Sequence, residues 1–212
     1  MMSRIRHYAC EFACAVAMLG ATSAWGNLLV NPGFEAPDAS AGDQYAITGS
    51  SGWNGFNGAY ITATTKETGL QSFKAFGSPG GAFQDFPAFA GQTWLGMVDS
   101  EKFSADPLVG QQGTFINIEW HDSGGGLISF LSTPIANSTS TPDVWIPGSV
   151  SGTAPAGTSF VRLVLLCGPY TGIGTGSGGA GFFDNASFDV VPEPGTLSLL
   201  AIAGLLSLRR RR

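Results

Sequence analysis

A chain of 212 residues with 31 glycines, 12% charged side chains and a formal charge of −5 has room for one ordinary domain. Its cationic residues gather at the two ends: from Asn27 to Val191, thirteen acids stand against Lys66, Lys74, Lys102 and Arg162, leaving that stretch near −9. So acidic a body repels phosphate backbones, which excludes nucleic acid as a partner and favours cations, calcium among them.

Residues 1–26 read as a signal peptide for export by the Sec route. Arg4 and Arg6 precede the unbroken apolar stretch "FACAVAMLG", and the small residues of "ATSAWG" fit cleavage after Ala24 or Gly26. No lipobox-like cysteine follows. Cys10 and Cys14 leave with this segment, so the exported chain keeps only Cys167 and forms no internal disulfide. Cys167 follows the buried-strand pattern "VRLVLL" and reads as a small core residue.

Residues 27–190 read as one all-β domain, because no segment sustains a 3.6-residue period. Ten candidate strands follow in order: "NLLV", "AYITAT", "QSFKAF", "GAFQDF", "TWLGMV", "TFINIEW", "LISFLS", "VWIPGSV", "SFVRLVLL" and "GFFDNASFDVV". Gly, Ser and Thr clusters separate them, which suggests a two-sheet antiparallel β-sandwich. In "TFINIEW", Ile116, Ile118 and Trp120 alternate with Phe115, Asn117 and Glu119, so one of the two sets faces inward. Pro147 belongs at an edge or a bulge. The glycine-rich run 168–181 reads as a loop and lacks the Gly-Lys-Ser/Thr ending of a phosphate loop.

Residues 191–212 form a separate terminal segment. Pro192 and Pro194 block helix continuation, which makes "VPEP" an accessible hinge. The apolar run 197–208 spans about 18 Å as a helix, short of the roughly 30 Å hydrocarbon core but able to insert. Arg209, Arg210, Arg211 and Arg212 then stay on the cytoplasmic side. Pro192-Glu193-Pro194, a hydrophobic helix and a terminal arginine cluster together resemble the PEP-CTERM sorting signal of Gram-negative bacteria. The resemblance implies transient anchoring in the inner membrane and recognition and cleavage near the motif by an exosortase. It also implies release of the body to the cell surface or an exopolysaccharide matrix.

The body carries a second resemblance. "NLLVNPGFE", Gly52-Trp53, "AGQTWLGMV", "IEWHDSGGGLIS", "APAGTSFVRLVL" and "FFDNASFDVV" follow one another as in jelly-roll carbohydrate-binding modules of galactose-binding-like fold. Two antiparallel sheets with first and last strands close together are then expected, with frequent sugar binding. Glu35 and Asp184 are similar in placement to the acidic ligands of that family's structural calcium site, although Asn185 stands where a second acid is common. Sugar rings pack on exposed aromatic faces while amides and carboxylates bond their hydroxyls. Trp53, Asn54, Phe56 and Tyr60, in the presumed loop "SGWNGFNGAY", are the leading cluster for that role, with Trp120 and Tyr170 as further candidates. The same resemblance counts Trp53, Trp94 and Trp145 among positions usually buried.

Catalysis has little support. His121 is the lone histidine of the body, and no nucleophile elbow, metal-binding histidine pair or Cys–His arrangement is present. The expected function is therefore a non-enzymatic, exported protein that binds exopolysaccharide. A purely structural matrix protein and, behind it, a glycan-active enzyme with two facing carboxylates are the alternatives.

Overall fold

The computed structural model describes residues 26–39, 44–45, 51–170 and 178–192. Residues 1–25 of the signal peptide, Glu193 and Pro194, the apolar run 197–208 and the arginines 209–212 lie outside the described residues, and so do residues 171–177 of the glycine-rich run. Among the described residues there is no helix, and hence none long and apolar enough to cross a membrane. Asn27–Val191 make up one compact unit.

Among the described residues nine strands build it: β1 (Gln44–Tyr45), β2 (Asn54–Thr62), β3 (Ser72–Pro87), β4 (Thr93–Lys102), β5 (Gln112–His121), β6 (Leu127–Asn137), β7 (Ile146–Thr153), β8 (Phe160–Pro169) and β9 (Ala180–Val191). All pairs are antiparallel, and they run β6-β5-β8-β3-β9-β4-β7, with β2 on β3 and β1 on β2.

The long strand β3 belongs to both sheets. Its first part, Phe73–Phe76, pairs with β9, and its second part, Gly80–Pro87, pairs with β8. The expected strands "QSFKAF" and "GAFQDF" are thus one strand with a corner between them. The corner needs glycine: Gly77 has a φ of 107°, and a Cβ on Gly80 would lie 1.9 Å from the Phe76 carbonyl oxygen. The first sheet is therefore β6-β5-β8 with the second part of β3 and the start of β2. The second is β7-β4-β9 with the first part of β3, the end of β2, and β1.

Period-two burial fills the space between them. Ile116, Ile118 and Trp120 of β5 and Val161, Leu163 and Leu165 of β8 are buried against Trp94, Val98, Val150 and Phe188 of the second sheet. A second aromatic knot, Trp53, Phe34, Phe73 and Phe183 in that order, packs at successive centroid distances of 5.1, 5.4 and 5.7 Å. Cys167 sits in this interior, its thiol pushed up to about 11 by burial. Pro147 lies on β7, an end strand of the second sheet. "NLLV" is not a strand: Leu28 N–H donates to Phe188 O at 3.0 Å, and Asn27 Oδ1 accepts from Phe188 N–H at 3.1 Å. The first and last described segments of the body are nevertheless adjacent.

Candidate functional site

The presumed loop around residues 53–60 is largely strand β2, and alternation along it parts the residues expected to act together. Trp53, just ahead of the strand, is 0% exposed; its ring packs on Phe34 and its indole N–H donates to Asn31 O at 3.1 Å. An enclosed ring offers no face to a sugar, so Trp53 is corrected to a core residue. Tyr60 lies on the second sheet and stacks on Phe76 at 5.4 Å. Asn54 and Phe56 remain on the outer face of the first sheet, paired with Phe83 and Gly81. Trp120 is buried as well, whereas Tyr170 is exposed and packs 5.9 Å from Phe115.

Glu35 and Asp184 are brought to the same loop, from opposite ends of the body. Glu35 accepts from Leu70 N–H at 3.0 and 3.1 Å and from Gln71 N–H at 3.3 Å. Asp184 Oδ2 accepts from Glu67 and Thr68 N–H, both at 3.0 Å, and Oδ1 from Asn185 N–H at 2.7 Å. The loop 67–71 therefore wraps its amides around two carboxylates, an anion-cradling arrangement. Gly69, at φ 62°, closes it, and a Cβ there would lie 2.0 Å from Glu35 Oε1. Amides pointing at these oxygens oppose a cation, and among the described residues no group of three or more His, Cys, Asp or Glu is placed to hold a metal. Calcium at Glu35 and Asp184 would share oxygens that already accept these amide hydrogens. Burial, and secondarily the nearby Glu35, push Asp184 above the usual carboxylate range, against the pull of the three amides.

The outer face of the first sheet gathers a different set. Because Ile116, Ile118 and Trp120 point inward, Phe115, Asn117, Glu119 and His121 of β5 point out. In register with them on β8 lie Leu166, Val164, Arg162 and Phe160, and on β6 Pro134, Ser132, Phe130 and Leu127. From β3 come Gly81, Phe83, Asp85 and Pro87.

A polar row crosses this face. Arg162 donates from Nε and Nη2 to the two oxygens of Asp85, at 2.7 and 2.9 Å, and its guanidinium lies 3.7 Å from the centre of the Phe83 ring. Asp85, followed by Glu119, raises the Arg162 pKa against the pull of burial. On the next strand Glu119 Oε2 lies 3.2 Å from His121 Nε2, and the imidazole stacks on Phe160 at 4.7 Å, 4° from parallel. The aromatic and charged groups hold one another in fixed positions.

Between this row and the far end of the sheet sits Asn117, 8% exposed, whose Oδ1 is buried without a hydrogen-bond partner among the described residues. Beside it is a shallow depression of about 230 Å³ lined by Pro79, Phe115, Ser132, Leu166, Gly168 and Pro169. A buried amide oxygen left unpaired costs about 1–3 kcal/mol. The oxygen is closed to solvent, so what this part of the face offers a ligand is the ring surface of Phe115 and Tyr170. Two signals in the sequence pointed here: the inward–outward alternation of "TFINIEW", and Arg162, the lone arginine of the body, set in an otherwise apolar strand.

No family model matches the sequence, and no curated protein matches it. Solved structures share its fold. A family 16 carbohydrate-binding module is 17% identical, with a TM-score of 0.49 over 76% of this chain and 99% of that one. An arabinose-bound GH51 α-L-arabinofuranosidase is 12% identical, with a TM-score of 0.51 over 78% of this chain and 26% of that one. The enzymatically active domain of bacteriophage CBA120 tailspike protein 4 is 10% identical, with a TM-score of 0.45 over 66% of this chain. This chain spans only 19% of the length of the tailspike protein.

Proposed function

We propose that the body is a non-enzymatic glycan-binding module which seats a polysaccharide across the outer face of the first sheet, over Phe115 and Tyr170. The exposed Tyr170 ring packed on Phe115, beside the depression on this face, carries this assignment: pyranose C–H faces suit such rings. Solved carbohydrate-binding modules with a similar fold are in keeping with it. The two carboxylates on the face are engaged, Asp85 by Arg162 and Glu119 by the His121 ring, which favours binding over the acid–base pair a glycosidase requires.

We further propose that residues 1–26 export the chain and that 191–212 act as a PEP-CTERM sorting signal processed by an exosortase. The ligand is then an exopolysaccharide of the envelope or matrix of a Gram-negative bacterium. The order of the Pro-Glu-Pro motif, apolar run and arginine cluster supports this destination. Deleting 191–212 is expected to leave the body folded and mislocalised; loss of folding on that deletion would count against a purely addressing role.

The binding test is an array of bacterial polysaccharides, followed by calorimetry with Tyr170→Ala and Phe115→Ala. Each variant is expected to weaken binding about tenfold or more, the equivalent of one hydrogen bond or one ring contact. A folded protein that binds none of the glycans would leave the body as a structural matrix component.

A further inference from the structure

Strand β6 ends the first sheet and, among the described residues, forms hydrogen-bonded ladders along one edge only, with β5. Exposed edges of natural sheets are usually blunted by charge, proline or bulges. At the other end of the path, β7 carries Pro147 and Gly148. β6 has irregular pairing near its two ends, at Gly113/Phe115 and Trp120/His121, and Pro134. Between them the segment 129–133 runs in unbroken register, and no charged residue occurs anywhere from Ser123 to Pro142.

Its side chains are apolar and open on both faces of the sheet. Leu127 is 53% exposed and Phe130 56% on the outer side; Ile128 is 37% and Leu131 42% exposed, lying towards Gly157 and Gly152. With roughly 200 Å² for a large apolar side chain, these four expose on the order of 400 Å² in each copy. Apolar patches of roughly 300–600 Å² on a monomer are often functional, and here the area is divided between the two faces of one edge strand.

We propose that the partner of this edge is a second copy of the chain, with β6 pairing antiparallel to β6 across a twofold axis. The two apolar patches together bury about 800 Å², and the paired backbones and serines bring the total to the order of 1,000 Å² needed by a specific interface. A strand that pairs with itself satisfies twofold symmetry without a second kind of surface. Two bodies near −9 repel each other over most of their surface, and this uncharged strand is where they approach at least electrostatic cost. The ten-stranded sheet so formed sets two outer faces side by side on the same side. The gain in avidity for a long glycan follows only if the glycan-binding assignment also holds; the dimer itself does not depend on it.

The test is the mass of the purified full chain by sedimentation across concentration, for the parent and for Ile128→Lys and Leu131→Lys. Neither site is on the glycan face. A concentration-dependent doubling of mass, weakened tenfold or more by either lysine, is expected. It should strengthen from 20 to 300 mM NaCl as screening relieves the repulsion. Amide exchange of 127–133 in the unmodified chain should slow as concentration rises. A monomer throughout, an oligomer indifferent to both lysines, an oligomer that dissociates with salt, or concentration-independent exchange would each overturn the proposal. None of these results bears on glycan binding, which is read separately at Phe115 and Tyr170.

Discussion

Replacing Trp53 by alanine separates a core role from a binding role at the aromatic first expected to meet the glycan. The ring is fully buried against Phe34, and its N–H holds Asn31 O. Truncating a buried large aromatic costs about 3–5 kcal/mol, and losing the hydrogen bond adds about 1 kcal/mol. In a body of about 165 residues each kcal/mol moves Tm by roughly 2–4 °C, so Trp53→Ala should lower Tm by about 10–20 °C. Phe115→Ala removes a half-buried ring that packs on exposed Tyr170, and should lower Tm by no more than about 5 °C. Calorimetric melting of both variants, paired with glycan titration well below the lower Tm, distinguishes the roles. Trp53→Ala is expected to unfold early and, while folded, to bind; Phe115→Ala is expected to melt nearly as the parent does and to bind poorly. A Trp53→Ala protein that melts within about 3 °C of the parent yet has lost binding would refute the assignment of Trp53 to the core.

Other expectations concern the loop held by the acids. Burial, as the largest cause, raises the pKa of Asp184, Glu101 and Glu67, so the folded chain binds more protons than the unfolded one and stability falls as pH rises through those values. Asp143, lowered by its backbone and side-chain hydrogen bonds to Ser104, works the other way, but its contribution is lost only below the ordinary carboxylate range. Tm should therefore fall as pH rises from just above the ordinary carboxylate range towards neutrality, and Asp184→Asn should reduce that fall; a Tm that rises over this interval would contradict this. Gly69→Ala forces a Cβ to within 2.0 Å of Glu35 Oε1 at a positive φ, and a loss of about 2–4 kcal/mol in urea unfolding is expected. A change under 0.5 kcal/mol would show that the loop does not close on Glu35. Millimolar calcium followed by chelator should shift Tm by less than about 1 °C, since the oxygens of Glu35 and Asp184 already accept amide N–H groups; a saturable upward shift would restore the metal.

Local pattern made the strands legible. The alternation of "TFINIEW" separated Ile116, Ile118 and Trp120 from Phe115, Asn117 and Glu119, and the structure buries the first set. The same local signal failed at Trp53, because an aromatic beside Gly and Asn reads as a loop, while the depth of its ring is decided by Phe34, nineteen residues earlier. It failed again along β3, where the glycines around Gly77–Gly81 read as a break between two strands. Which neighbour each part of that strand takes is a matter of sheet pairing rather than propensity. Residue types and their inward or outward parity were therefore written locally, since side chains alternate along any extended chain. The Arg162 clamp on Asp85 across 77 positions, the loop 67–71 on Asp184 across more than a hundred, and the open edge of β6 were decided by tertiary structure. Each depends on which strands become neighbours, and that is set by the packing of the whole sandwich.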